Sequence, residues 1–185
     1  MQWELAVIGF GWVAFWIYWA AASFAAKASR GGWRRQAGAR IALIVIAVYL
    51  IRVNFRGGGG RPQLGHDPVL EGIGLALWIA GLGLAVWARL YIGRNWGMPM
   101  SQREDPDLVT TGPYRSIRHP IYSGIILAMI GTALATTLYG LIVVAILVGF
   151  FTFSAVQEER FLAGEFPAAF PAYKARTKML IPFVL

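Results

Sequence analysis

Apolar runs of membrane-crossing length, separated by short polar segments, dominate the pattern of this chain. A helix needs about 20 apolar residues to cross the hydrocarbon core, and arginines at its ends extend a shorter run by snorkelling. The pattern therefore predicts five spans, over Leu5–Ala26, Ile41–Val53 (about Gly38 to Phe55 with its flanking arginines), Val69–Leu90, Ile121–Thr137 and Leu141–Phe153, the last continuing to Val156.

The connections between these spans define how the chain is organised. The glycine-rich tract Arg56–Pro68 cannot hold a helix and predicts a flexible loop. The fourth and fifth spans are joined so tightly that they should form an antiparallel hairpin, and an amphipathic tail follows from Glu158. We therefore expect one domain over residues 1–185, with the N-terminal helices and loop in 1–68 and the remaining helices and the tail in 69–185.

Basic residues are distributed unevenly between the two sides of this arrangement. Of the 17 lysine and arginine residues, only Arg52, Arg56 and Arg61 fall on the side of the glycine-rich loop. Because short loops rich in Lys and Arg stay in the cytoplasm, the N-terminus is predicted outside and the C-terminus in the cytoplasm, with the protein in the cell inner membrane.

Composition agrees with this picture and excludes several classes of function. The chain is 57% hydrophobic and only 14% charged, which is typical of an integral membrane protein. It has no cysteine, so thiolate catalysis and Cys-ligated metals are excluded. The net charge of +8 lies mostly beside apolar runs, which indicates contact with membrane lipids and no nucleic-acid partner. His66-Asp67 lies in the outer loop without further ligands, so no metal site is predicted.

Two repeated residue types have structural explanations. Trp12, Trp16 and Trp19 recur at helical spacing and indicate packing or lipid contact. Small residues on a membrane helix permit close approach of a neighbour or a helix dimer. The third span has four such glycines, Gly72, Gly74, Gly81 and Gly83, although the oligomeric state stays open.

Polar residues concentrate at two edges of the predicted membrane helices. LVTTGPYRSIRHPIYSG, from Leu108 to Gly124, stands directly before the fourth span, and Glu158-Glu159 follow the fifth. Charge at a bilayer edge costs free energy unless it is paired or used. The predicted topology puts both segments on the cytoplasmic face, so we expect them to form one site.

These two segments resemble the isoprenylcysteine carboxyl methyltransferase family, which is related to the membrane phospholipid methyltransferases. The resemblance rests on RHPxYxG, on EExxL and on a downstream Y-x-x-R, and covers about Asp107 to Phe183. It implies an all-α integral membrane protein whose bundle of about five transmembrane helices carries a cytoplasmic C-terminal amphipathic helix. It also implies methyl transfer from S-adenosyl-L-methionine to a lipophilic small-molecule or prenylated substrate.

The residue types fit the cofactor that this resemblance implies. A sulfonium, an ammonium, a carboxylate and ribose hydroxyls need aromatic faces, acceptors and donors. Arg118 and His119 can hold the anionic part, and Glu158 or Glu159 can accept from the ammonium or the ribose. Further cofactor contacts are predicted for Tyr114, Tyr122 and the turn at Gly112.

The substrate half of the site is less closely defined. Arg176 and Tyr173 are the predicted substrate contacts, with Arg176 holding a carboxylate acceptor, whereas an amine would need Glu159 as proton acceptor. Pro167 and Phe170 depart from the family's Gly and Tyr, so the acceptor stays open between a prenylcysteine-like carboxylate, a phospholipid or small amine, and a thiol. A nicotinamide-dependent membrane reductase, a transporter and a non-enzymatic scaffold are the other classes considered.

Overall fold

A computed structural model describes residues 3–23, 67–96, 107–136 and 140–180, so the predicted second span lies outside the described residues. These residues form five α-helices: α1 (Trp3–Ser23), α2 (Pro68–Ile92), α3 (Pro120–Thr136), α4 (Gly140–Glu165) and α5 (Ala169–Arg176). Short 3-10 turns cover Gly93–Asn95 and Gly112–Arg115. Within this part of the chain the only β-type pairing is one parallel bridge between Ile117 and Lys178, which confirms the all-α class.

Helix α2 begins and ends at residues that suit those positions. Asp67 precedes it in an extended conformation, and its carboxylate accepts from the backbone N–H groups of Val69 at 2.9 Å and Leu70 at 3.4 Å. Pro68 occupies the first turn, where its missing N–H is no loss. Gly93 ends the helix with φ 53°, a conformation that favours glycine. Asp67 therefore has a structural role as a helix cap.

Helix α4 extends further than the apolar pattern predicts. The predicted fifth span stops at Val156, but the helix continues without interruption to Glu165. The sequence after Val156 contains good helix formers, and Pro167 is the first residue that cannot continue a helix. Glu158 and Glu159 therefore lie on a rigid helix, and the prediction that a separate tail begins at Glu158 was wrong.

Helices α2 and α3 form the most extensive helix pair among the described elements because glycines let their backbones meet. A Cβ added to Gly74 would lie 2.7 Å from the backbone N of Ala135, and one added to Gly124 would lie 2.6 Å from the carbonyl of Gly81. A Cβ added to Gly72 or Gly83 would have no neighbour within 4 Å among the described residues. The predicted close packing is confirmed for Gly74 and Gly81, and for Gly72 and Gly83 it stays a prediction.

Helix α1 packs on this pair through its tryptophans. Trp12 and Trp19 are buried, and the indole Nε1 of Trp12 donates to Thr132 Oγ1 on α3 at 3.0 Å. The exposed side of α1 carries Trp3 and Phe10 instead. The stripe of tryptophans is thus mainly a packing feature.

Two of the described helices are long and apolar enough to cross a bilayer, over Pro68–Asn95 and Gly140–Glu165. Only 22% and 33% of their most apolar windows are buried, so neither resembles the core helix of a soluble protein. Their exposed residues include Ile79, Trp87 and Ile146. The other apolar helices, Ala6–Ala22 and Pro120–Thr136, are shorter. The fold therefore indicates membrane association and supports two of the five predicted spans.

Candidate functional site

The C-terminal segment is hydrogen-bonded to the residues that lead into α3. The backbone N–H of Arg118 donates to the Lys178 carbonyl at 2.8 Å, and that of His119 donates to the Met179 carbonyl at 3.1 Å. In return, the N–H of Lys178 donates to the Ser116 carbonyl at 3.1 Å. The tail is therefore held against the Arg-His-Pro motif, and α5 lies next to the end of α4.

A partly open cleft of about 150 Å³ is lined by residues from the ends of α2 and α4, from the start of α3 and from α5. Residues of both sequence motifs reach it, as predicted from their shared position at one membrane edge. Six predicted site residues line the cleft: Tyr114, Arg118, His119, Tyr122, Glu158 and Tyr173. Gly112, Glu159 and Arg176 are not among the lining residues.

Glu158 is the member of the glutamate pair that faces the cleft. The hydroxyl of Tyr122 donates to Glu158 Oε1 at 2.5 Å, and His119 Nδ1 lies 3.4 Å from Glu158 Oε2. The Glu158 side chain remains 25% exposed. Its carboxylate is thus oriented from two sides while still open to the cleft.

Glu159 lies behind the cleft wall and is enclosed by cations. Its side chain is 5% exposed, with Arg118 Nε at 2.6 Å from Oε1 and Lys174 Nζ at 2.6 Å from Oε2. Nη1 of Arg118 also donates to the carbonyls of Lys174 and Thr177. Glu159 therefore ties α4 to α5 and to the segment that leads into α3, and its contacts are those of a residue that positions its neighbours.

His119 is buried between the two carboxylates. Burial opposes its charge, but the contacts and charges of Glu158 and Glu159 outweigh burial and raise the pKa of His119 above its usual value. Its ring stacks on Tyr122, with centroids 5.4 Å apart. Nε2 pairs electrostatically with Glu159 Oε1 at 3.7 Å but makes no hydrogen bond within the described residues. This buried N–H is available to a ligand.

Two tyrosines complete the wall nearest the tail. The hydroxyl of Tyr173 donates to the Tyr114 carbonyl at 2.7 Å. Burial raises the pKa of Tyr173 to about 12, and burial together with the charge of Glu158 raises the pKa of Tyr114 further. Both phenols therefore stay neutral at physiological pH and provide aromatic surface and hydroxyl donors.

The two remaining predicted contacts have other surroundings. Gly112 has φ 57°, and a Cβ there would lie 2.7 Å from Cγ of the Tyr91 ring, so packing and backbone conformation explain this glycine. Arg176 is exposed, with its guanidinium 5.7 Å from the Tyr173 ring centroid. Lys174, which the sequence did not single out, is the tail cation that contacts Glu159.

A third group of lining residues was missed by sequence reasoning. Asn95, Trp96 and Asp107 line the cleft from the end of α2 and from the segment before the motif. Asn95 Nδ2 donates to Asp107 Oδ2 at 3.1 Å, and the Asp107 N–H donates to Asn95 Oδ1 at 3.4 Å. The sequence could have indicated these residues, because they are polar or aromatic and lie in the same connection between predicted spans as Arg118 and His119.

The described residues contain no group of three His, Cys, Asp or Glu side chains that could hold a metal ion. Of the cleft carboxylates, Glu158 contacts His119 and the Tyr122 hydroxyl, and Asp107 contacts the Asn95 amide.

Comparison with known proteins adds an independent result. A model of the phospholipid methyltransferase family matches residues 70–169, which is more than half of the chain. This range includes Arg118, His119 and both glutamates and ends at Ala169, the first residue of α5. Over 146 residues the chain is 29% identical to protein-S-isoprenylcysteine O-methyltransferase B of Arabidopsis thaliana, covering 77% of this chain and 72% of that protein.

Two bacterial relatives are named for resistance to metal ions. Over 111 residues the chain is 35% identical to a cobalt-zinc-cadmium resistance protein of Cupriavidus metallidurans, covering 58% of this chain and 49% of that protein. It is 33% identical over 94 residues to a nickel-cobalt-cadmium resistance protein of Alcaligenes xylosoxydans, covering 49% of this chain and 44% of that protein. The chain spans about half the length of these two relatives.

Proposed function

The chain belongs to the phospholipid methyltransferase family, and we propose that it transfers a methyl group from S-adenosyl-L-methionine to a lipophilic membrane substrate. One observation carries this proposal. Arg118, His119 and Tyr122 from the start of α3 and Glu158 from the end of α4 line the same cleft. Neither motif alone would provide both the donors and the acceptors that such a cofactor needs.

The groups in the cleft fit the cofactor's chemistry. Glu158 can accept from an ammonium group. The hydrogen bonds that Arg118 makes within the described residues use Nε and Nη1, which leaves Nη2 for a carboxylate, and His119 Nε2 is a second donor. Tyr114 and Tyr122 offer aromatic faces. When bound, S-adenosyl-L-methionine supplies an electrophilic methyl group on a sulfonium.

The protein's own contribution is orientation in a water-poor setting. Apolar residues such as Ile121, Phe161 and Leu162 form much of the cleft wall and exclude water beside the membrane. The carboxylate of Glu158 is held by Tyr122 and His119 before any ligand arrives, so little ordering is required on binding.

For the methyl acceptor, we propose a prenylcysteine-like carboxylate, which needs no proton acceptor. Arg176, exposed beside Tyr173, is placed to contact its oxygens, while Arg118 is reserved for the cofactor carboxylate. A phospholipid or small amine is the alternative acceptor, and it would need a base. Glu158 suits that role better than Glu159, because Glu159 is engaged by two cations.

Equilibrium binding to the detergent-purified protein tests the cofactor. We expect S-adenosylhomocysteine to bind and NADPH not to bind, whereas binding of NADPH alone would indicate a reductase and overturn the proposal. His119→Ala and Glu159→Ala should each weaken S-adenosylhomocysteine at least tenfold, roughly 1.4 kcal/mol. Arg160→Ala, beside the glutamates but exposed, is the matched control and should bind like the wild type.

The acceptor is tested by methyl transfer from labelled S-adenosyl-L-methionine. We expect a base-labile methyl ester on a farnesylated N-acetylcysteine and no transfer to phosphatidylethanolamine vesicles. Transfer to the vesicles alone would replace the carboxylate with an amine acceptor, while the cofactor assignment would stand.

A further inference from the structure

A second polar pair with a defined arrangement also lines the cleft. Asn95 and Asp107 bind each other through two hydrogen bonds, one from the Asn95 amide to the carboxylate and one from the Asp107 N–H back to the amide oxygen. This reciprocal contact fixes the amide orientation of Asn95, because Oδ1 must accept and Nδ2 must donate. Both residues line the cleft.

The groups that this pair presents are a donor beside an acceptor. An Asn amide nitrogen has two N–H groups, and one of them is used by Asp107 Oδ2. The carboxylate of Asp107 has about four acceptor positions, so it can accept from a ligand in addition to its contacts within the protein. A ligand that matches them must offer an N–H donor next to an acceptor nitrogen. The amino edge of adenine has this pattern, with the 6-amino group beside a ring nitrogen.

An aromatic wall stands next to the pair. Trp96 follows Asn95 directly, is buried and lines the cleft. Its position is fixed from two sides, by the guanidinium of Arg89 at 4.7 Å from the ring centroid and by the ring of Trp19 at 5.6 Å in an edge-on arrangement. A planar base would gain apolar contact here while its edge meets Asn95 and Asp107.

We infer that Asn95 and Asp107 recognise the amino edge of the adenine base, with Trp96 as its neighbouring wall, and so select an adenine nucleoside over a 6-oxopurine one. The inference rests on the proposed function, because it concerns the nucleoside part of the proposed cofactor. It also assigns separate groups of lining residues to the two polar parts of that molecule. Glu158, His119 and Arg118 serve the amino acid end.

The experiment compares S-adenosylhomocysteine with S-inosylhomocysteine, which carries an oxygen in place of the 6-amino group, by equilibrium binding to the full-length protein in detergent. The wild type should prefer the adenosine compound at least tenfold, because the oxo group faces the Asp107 carboxylate without a hydrogen to share. In Asp107→Asn the new amide can donate to that oxygen, so the preference should fall to within about threefold. Glu165→Gln, an exposed carboxylate-to-amide change outside the cleft wall, should keep the wild-type ratio.

The possible outcomes distinguish a failure of the proposed function from a failure of the adenine inference. No binding of either compound by the wild type would refute the proposed function. Equal binding of both by the wild type would refute the inference alone, and it does not depend on whether a variant folds. An Asp107→Asn protein that loses affinity for both compounds equally, while keeping the tenfold ratio, would place the carboxylate on the ribose and also overturn the inference.

Discussion

Gly81 and Gly83 offer a matched pair of substitutions that measures how closely α2 and α3 pack. Alanine in place of glycine within a helix gains about 0.5–1 kcal/mol of propensity at either position. At Gly83 the new methyl group has no neighbour within 4 Å among the described residues. At Gly81 it would lie 2.5 Å from the Gly124 carbonyl and 2.8 Å from Ala128 Cα, closer than the 3.0 Å below which real Cβ contacts essentially never occur. Backbone cannot rotate away, so the helices must separate.

The difference in the free energy of unfolding between the two variants gives the cost of the close contact, because both variants gain the same helix propensity. Overpacking of this kind costs about 1–3 kcal/mol. We expect Gly81→Ala to unfold more easily than Gly83→Ala by that amount, measured by denaturant unfolding in detergent micelles with tryptophan fluorescence. Gly81→Ala should also bind S-adenosylhomocysteine more weakly, because α2 and α3 carry facing walls of the cleft. Equal stability of the two variants would show that the helices do not meet at Gly81.

Three further predictions concern the glutamate pair. Glu159→Ala should lower the free energy of unfolding by about 3–5 kcal/mol, because it leaves a buried cation without its counter-charge. Lys174→Ala should lower it less, because that side chain is 52% exposed. Denaturant unfolding in detergent shows which variant is less stable. The pKa of His119 is raised in the folded protein. Its charge should therefore stabilise the fold fully below the unfolded-state pKa of about 6.5, and this contribution should be lost as pH rises through the folded-state pKa. The stability difference between wild type and His119→Gln should shrink at alkaline pH. Tyr122→Phe removes the hydrogen bond to Glu158 but keeps the ring, so S-adenosylhomocysteine should bind about three- to tenfold more weakly; unchanged affinity would show that Glu158 needs no such support.

The convergence of the two motifs could be predicted from the sequence because it depends on topology alone. Two apolar helices joined by a tight connection must run antiparallel, so the residues before the first and after the second share one end. The structure places Arg118 and His119 beside Glu158 and Glu159 for this reason. Helix length was harder to predict, because apolarity marks the membrane and does not mark the end of hydrogen bonding. Helix α4 therefore continued past Val156.

The division of roles between neighbouring residues could not be predicted, since it depends on helix phase. Successive residues on a helix point about 100° apart, so only one of Glu158 and Glu159 can face the cleft. A helix that is apolar on all sides gives no pattern from which to choose. The same applies to Lys174 and Arg176 on α5, which point in nearly opposite directions. The sequence resemblance drew attention to Arg176, while Lys174 is the cation that meets Glu159.

The two glutamates at the end of α4 have distinct physical settings. Glu159 has its charge balanced by Arg118 and Lys174 within the fold, so it joins α4 to α5 and to the segment before α3 and offers little to a ligand. Glu158 is held in orientation by Tyr122 and His119 but stays open to the cleft. The buried ion pairs of Glu159 hold α4 in place beside the accessible carboxylate of Glu158. Glu158 is therefore oriented before a ligand binds, which reduces the ordering that binding requires.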